Sequence, residues 1–170
     1  MNQYVLTDQQ IQTLISLPKT IVNKEPADGY QQEQFQRRCS LELASEWDDT
    51  ERFSVFVRQH TEFIENFTLG LRYQTNDHSV RTITLVRYNG AHGETSRQAD
   101  GHYAAPHIHR ITQAEMESGS SFPQEKYREI TAKYTVFNEA LAVFFGDIGV
   151  VNYTDYFPEA LQGRLFDGYC

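Results

Sequence analysis

The feature that most constrains the fold is an alternation of apolar and polar residues with a period of two between residues 39 and 85. A strand that buries one face has this pattern. The alternating apolar sets are Cys39, Leu41 and Leu43, then Phe53, Val55 and Val57, then Phe67, Leu69, Leu71 and Tyr73, and then Ile83 and Leu85. Short polar stretches separate the sets, so the pattern predicts strands joined by hairpins in an antiparallel meander.

A helical pattern precedes this meander. Thr7 and Gln10 have the spacing of a capping box, and Ile11, Leu14 and Ile15 follow at helical spacing. A short helix is therefore predicted from about Asp8 to Leu17, before Pro18.

A second helical pattern follows the meander. A last strand is expected through His107 to Thr112, and Pro123 is expected to begin a helix. Apolar residues then keep a spacing near 3.6, and Gly146 or Gly149 is expected to end the run. Those residues are Tyr127, Ile130, Tyr134, Phe137, Leu141, Phe144 and Phe145. Residues 1–170 are thus predicted to form a single α+β domain, an antiparallel meander of about five strands with an N-terminal helix and C-terminal helices packed on the sheet.

Charge and composition narrow the class of protein. The chain has 15 basic and 23 acidic residues, a net charge of −8, which argues against broad nonspecific binding to nucleic acid or to an anionic membrane. No apolar run approaches the roughly 20 residues of a membrane helix, and the first residues do not read as a secretory signal. We therefore expect a cytoplasmic protein with no membrane partner, and reduced thiols at Cys39 and Cys170.

Polar chemistry is concentrated between Arg87 and Arg110, which holds four of the six histidines. His107 and His109 are two residues apart, so on a strand they project from the same face. Arg87 continues the phase of Ile83 and Leu85, so it is expected on the core face, where a guanidinium must be paired or solvated. The stretch predicts His92, His107 and His109 as catalytic acid–base residues, and Arg87, Tyr88 and Arg110 as substrate-binding residues.

Two other interpretations of this stretch stay open on the residues alone. In the first, the His-x-His pair binds a metal with His92 or His102, and Glu94 or Asp100 completes the site. No HExxH motif or cysteine cluster supports it, so the preferred interpretation has neither metal nor cofactor. In the second, the histidines are structural and Arg87 pairs with a carboxylate such as Glu94.

The run Arg87-Tyr88-Asn89-Gly90-Ala91-His92, followed by Pro106-His107-Ile108-His109, resembles the TumE-type toxins of bacterial toxin–antitoxin pairs. Their pattern is approximately Arg-Tyr-Asp-Asn-x-Pro-His and then Pro-His-His-x-His, so Asn89 stands here where that pattern has an acidic residue. The resemblance implies a small α+β, metal-independent protein that targets RNA and is held by an antitoxin. It carries over only to Arg87, His92, His107 and His109.

The leading hypothesis is therefore a toxin-like ribonuclease or phosphate-ester enzyme that uses arginine and histidine. Its candidate partners are RNA and a protein such as an antitoxin, and a homo-oligomer is not excluded. The alternative is a non-enzymatic acidic binding or inhibitor protein from a mobile element or defence locus, which contacts a basic protein or imitates nucleic acid. A His-based metal-binding protein is the third reading.

Overall fold

The computed structural model of the chain describes residues 4–47, 49–75, 81–92 and 105–162. Over these residues the chain forms eight strands, four α-helices and one short 3-10 helix. In chain order they are α1 (Asp8–Ser16), β1 (Lys19–Glu25), β2 (Gln31–Glu33), β3 (Gln36–Ser45), β4 (Arg52–His60), β5 (Phe67–Gln74), β6 (Ile83–Asn89), β7 (His107–Arg110), α2 (Gln113–Glu117), β8 (Glu129–Ile130), α3 (Phe137–Asp147), α4 (Tyr153–Tyr156) and the 3-10 helix Pro158–Leu161.

The eight strands form one sheet, and every pairing between them is antiparallel. The order is β1-β3-β4-β5-β6-β7-β8, and β2 also pairs with β3. The α+β class and the antiparallel sheet are thus confirmed, with eight strands instead of about five. The three additional strands were not recognisable by a period of two. The alternation of β1 is broken by a register shift between Ile21 and Asn23. Strands β2 and β8 are too short to show a period, since they have only three and two residues.

The apolar sets of the three central strands lie on one face of the sheet, which we call the core face. Cross-strand pairing aligns Leu41 with Val55 and Val55 with Leu71, and each is at most 1% exposed. Helix α3 covers this face, where Phe137 packs against Phe67. The opposite side of the sheet is the outer face.

A buried lysine joins α1 to α3. The Lys19 side chain is 1% exposed, and its Nζ donates to the carbonyl oxygens of Ile15, Leu17 and Ile148, each at 2.9 Å. Helix ends leave such carbonyls without internal partners and carry partial negative charge, so the three donors of an ammonium group match them. The capping box of Thr7 and Gln10 at the start of α1 is also confirmed.

The helix predicted to run from Pro123 through Tyr134 is wrong, because α3 begins only at Phe137. Residues 118–128 instead pass beside β6 and β7, where the carbonyl of Ser121 accepts from the amide of Thr84 at 2.8 Å. Tyr127 is 52% exposed. The helical spacing of the aromatic residues in this segment therefore does not correspond to a buried helical face.

A β-bulge in β6 interrupts its alternation. Leu71 pairs with Val86, but the next residue, Arg72, pairs with Thr84. Leu85 is thus an extra residue in β6, opposite no residue of β5. An extra residue of this kind shifts the phase of the strand beyond it.

The bulge overturns the expected orientation of Arg87. Leu85 and Val86 are both fully buried, so two consecutive residues occupy the interior and the phase moves by one residue. Arg87 therefore pairs with Gly70 on the outer face, and Tyr88 takes the core face beside Leu69. The expectation that Arg87 points towards the core is wrong for this reason.

The cysteines and the longest apolar helices were also subjects of prediction. Cys39 is a free, buried thiol, as predicted, while Cys170 lies outside the described residues. No helix in the described part of the chain is long and apolar enough to cross a membrane.

Candidate functional site

The register of β6 and β7 brings three of the predicted site residues to one place on the outer face. Arg87 pairs with His109, and Asn89 pairs with His107. Residues paired across antiparallel strands have Cα atoms about 4.5 to 5.5 Å apart and side chains on the same face. Asn89 also pairs with Thr68, whose hydroxyl donates to the Asn89 amide oxygen at 3.0 Å.

The three predicted catalytic histidines form one continuous cluster. The His107 ring lies between the other two, with ring centroids 5.1 Å from His92 and 5.1 Å from His109, and both contacts are edge-to-face. His107 is 0% exposed and His109 is 2% exposed, whereas His92 is only half-buried. Among the three, His92 is therefore the imidazole that solvent or a substrate can reach.

Backbone carbonyls fix the orientation of the two buried rings. Nδ1 of His107 lies 2.8 Å from the carbonyl oxygen of Ala105, and Nδ1 of His109 lies 3.2 Å from that of Tyr127. Because a carbonyl oxygen only accepts, each Nδ1 carries the hydrogen, and each Nε2 is the basic nitrogen of the neutral ring. Nδ1 of His92 lies 3.1 Å from Oδ1 of Asn66, which favours the same tautomer.

Arg87 holds a positive charge against this cluster. Its Nη2 donates to the carbonyl oxygen of Pro123 at 3.2 Å, while its buried Nε has no hydrogen-bond partner among the described residues. Burial lowers the pKa of Arg87, and the nearby carboxylate of Glu125 raises it. A guanidinium whose Nε–H makes no hydrogen bond can still donate one to an anionic group.

Burial keeps the histidines uncharged at neutral pH. It is the largest cause of a lowered pKa in His92, His107 and His109, and the charge of Arg87 lowers the pKa of each ring further. For His109 the pKa falls to about 4. All three rings are therefore proton acceptors at pH 7, placed beside a fixed cation.

Glu125 is a member of the site that the sequence pattern did not single out. Its negative charge raises the pKa of Arg87 and of all three histidines of the cluster. Glu125 is exposed, and it lies in segment 118–128, whose helical spacing gave no sign that it passes over β6 and β7.

Two of the predicted substrate-binding residues are not brought to the cluster. Tyr88 pairs with Ile108 on the core face, and its hydroxyl donates to the carboxylate of Asp147 in α3. Arg110 pairs with Val86 and forms an ion pair with Glu129, with 2.9 Å between Nη1 and Oε2. Strand alternation places both on the face opposite to His107 and His109.

The metal interpretation gains no support within the ranges that the structure describes. There, no group of three His, Cys, Asp or Glu side chains is arranged to hold a metal ion. The additional ligands that this interpretation named, His102, Glu94 and Asp100, lie outside the described residues.

Comparisons of the chain with protein-family models, with curated proteins and with solved structures found no significant match. The fold and the site therefore define a class only: an α+β protein whose eight-stranded antiparallel sheet carries a neutral histidine cluster beside an arginine on its outer face. The resemblance to TumE-type toxins stays a prediction.

Proposed function

We propose that the chain is an enzyme that cleaves phosphodiester bonds in RNA, with the cluster of Arg87, His92, His107 and His109 as its active site. The observation that supports this most directly is the guanidinium of Arg87 beside imidazoles whose pKa values are lowered. A fixed cation stabilises the negative charge that develops on a phosphate in the transition state. A neutral imidazole accepts a proton at pH 7.

In this proposal His92 is the general base, because the other two rings are buried. Its Nε2 takes the proton of a ribose 2′-hydroxyl, the 2′-oxygen attacks phosphorus, and the bond to the 5′-oxygen breaks. The released 5′-oxygen takes a proton from solvent, and Arg87 binds the phosphate oxygens throughout. His107 is a positioning residue, since its edge contact holds the His92 ring, and His109 in turn holds the ring of His107.

A multiple-turnover cleavage assay on single-stranded RNA tests the proposal. Wild type is expected to cleave, and Arg87→Gln and His92→Gln are each expected to lower kcat about 100-fold or more. Arg110→Gln is the matched control, since it removes an arginine from the opposite face and should keep full activity. The proposal fails if wild type does not cleave RNA, or if neither variant is slower than the control.

The second candidate is an RNA-binding protein without catalytic activity. It is favoured by the burial of His107 and His109, which leaves a single half-buried imidazole to meet a substrate. RNA binding without cleavage would select it. An antitoxin partner is supported only by the resemblance to TumE-type toxins, and the acidic-inhibitor alternative would need co-purification with a basic protein.

A further inference from the structure

Four adjacent strands place arginines on the outer face. They are Arg38 of β3, Arg52 and Arg58 of β4, Arg72 of β5 and Arg87 of β6, and of these Arg52 lies at the far end of β4, opposite Gln74. The register shows this directly, because Arg38 pairs with Arg58, Arg72 lies one residue from core-face Leu71 and Tyr73, and Arg87 pairs with Gly70. In a chain with a net charge of −8, this row of arginines is a local concentration of positive charge that ends at the histidine cluster.

An aromatic ring organises the middle of this row. Phe56 lies across Gly70 so closely that a Cβ atom on Gly70 would be 2.1 Å from the Phe56 ring. The guanidinium carbons of Arg72 and Arg58 lie 4.4 and 5.5 Å from the centre of the same ring. Phe56 is therefore the positioning residue that both cations contact.

The charges of Arg58 and Arg72 have no carboxylate in an ion pair with them in the part of the chain that the structure describes, whereas Arg38 is paired with Glu33 at 2.6 Å. Burial and then the charge of Arg58 lower the pKa of Arg72, as expected for two cations that contact the same ring. Two cations that contact the same ring and form no ion pair among the described residues can bind an anion.

The outer face is open to solvent at this place. Arg58 is exposed and Phe56 and Arg72 are half-buried, while their neighbours on the core face are buried. The register places Arg58, Arg87 and Arg72 at the levels of Thr68, Gly70 and Arg72 of β5, so they follow one another along the strand direction as well as across β4, β5 and β6. With about 4.8 Å between strands and about 3.3 Å per residue, the three arginines cover about 10 Å across the strands and about 13 Å along them. A patch of this size suits one phosphate backbone, whereas duplex RNA is contacted across a wide groove.

We propose that the outer face of β4, β5 and β6 binds the phosphate backbone of single-stranded RNA, with Arg58 and Arg72 contacting phosphates next to the one held by Arg87. This proposal deepens the proposed function. It rests on that function for one point, that the bound RNA leads to the histidine cluster. Phe56 keeps the two guanidinium groups in place, and the continuity of the row brings the bound strand to His92.

Binding can be measured separately from cleavage. A short fluorescent oligonucleotide with 2′-O-methyl groups has no free 2′-hydroxyl and cannot be cleaved by the proposed mechanism. Its affinity is measured by fluorescence anisotropy between about 50 and 200 mM salt, where each phosphate contact on a single strand contributes about 0.7 to the slope of log K against log salt. Arg58→Gln and Arg72→Gln should each lower the slope by about 0.7 and weaken binding about five-fold near 0.1 M salt.

Three controls make the result specific. Arg110→Gln, on the other face, should leave the slope unchanged. Arg58→Lys and Arg72→Lys keep the positive charge and should keep the slope. A loss of slope in the glutamine variants alone is then caused by the lost charge and not by misfolding. Duplex RNA of the same sequence should bind more weakly, and DNA of that sequence should bind no more tightly than the RNA analogue.

The inference is overturned if wild type does not bind near 50 mM salt, if the double variant Arg58→Gln/Arg72→Gln keeps the wild-type slope, or if duplex RNA or DNA binds better than the single-stranded RNA analogue. If wild type cleaves RNA but the salt slope does not change in the Arg58 and Arg72 variants, the proposed binding surface is refuted and the proposed function stands. If binding depends on both arginines but wild type does not cleave RNA, the proposed function is refuted and the binding surface stands.

Discussion

The buried histidine cluster makes the stability of the fold depend on pH, and the substitution His109→Gln should remove a measurable part of that dependence. The pKa of His109 is about 4 in the folded protein, through burial and then the charge of Arg87, against about 6.5 in an unfolded chain. Between these values the unfolded chain binds a proton that the folded protein does not. Stability is therefore complete above pH 6.5 and falls as the pH is lowered towards 4.

The magnitude follows from the width of this window. A difference of about 2.5 pH units at 1.36 kcal/mol per unit corresponds to about 3 kcal/mol, of which about 2 kcal/mol is lost between pH 7 and pH 4.5. The lowered pKa values of His92 and His107 act in the same direction.

Urea unfolding of three proteins at pH 7 and pH 4.5 measures the effect. His109→Gln cannot take up a proton and should lose about 2 kcal/mol less than wild type over this interval. Ile108→Val, which changes the buried neighbour on the core face, should cost about 1 kcal/mol at both pH values and keep the wild-type pH dependence. If His109→Gln loses as much free energy as wild type, the folded protein holds His109 protonated at pH 4.5 and the reasoning is refuted.

Three further changes test the fold around the site, each by urea unfolding. Lys19→Met leaves the carbonyl oxygens of the helix ends without their donor and should cost about 3 kcal/mol or more, and a smaller loss would contradict the role of the ammonium. Gly90→Ala places a Cβ 1.9 Å from the carbonyl oxygen of Glu65 and should lower the free energy of unfolding by about 3 kcal/mol. The control Gly146→Ala meets nothing within 4 Å and should raise it by up to about 1 kcal/mol. Equal effects of the two substitutions would contradict the close packing at Gly90. Tyr134→Phe removes the hydroxyl that donates to the carbonyl oxygens at the ends of β6 and β7 and should cost about 1 to 2 kcal/mol, and no loss would show that this bond contributes nothing.

The strands that the sequence predicted well are those in which burial alone decides the pattern. Within β3, β4 and β5 every second residue is apolar and buried over residues 39–43, 53–57 and 67–73, so period two shows both the strand and its core face. Strand β1 was missed because its register shift breaks the period, and its buried positions include Lys19 and Lys24. A buried lysine satisfied by carbonyl oxygens cannot be distinguished from a surface lysine by composition.

The segment from Pro123 to Tyr134 was mispredicted for another reason. Its aromatic residues fall at helical spacing, yet the carbonyls of Pro123 and Tyr127 accept hydrogen bonds from Arg87 and His109. A helix would have used these carbonyls internally. Such contacts join residues far apart in the sequence, so no local pattern announces them.

The site was predictable in part. The spacing of His107 and His109 correctly placed them on the same face of a strand, and their pairing with Asn89 and Arg87 follows from a hairpin between β6 and β7. The sequence could not show which face this is, because the bulge at Leu85 is only visible in the pairing with β5. It also could not show that Tyr88 faces α3.

The bulge has a consequence for recognising related proteins. Deleting Leu85 would let β6 pair regularly with β5, and Arg87 would stay opposite Gly70 on the outer face while Tyr88 stayed opposite Leu69 on the core face. Two chains that differ by this one residue would therefore present the same surface, one with a bulge and one with a regular strand. A related protein is thus better recognised by the strand residue that its arginine pairs with than by strict alternation or by the number of residues between Tyr73 and Arg87.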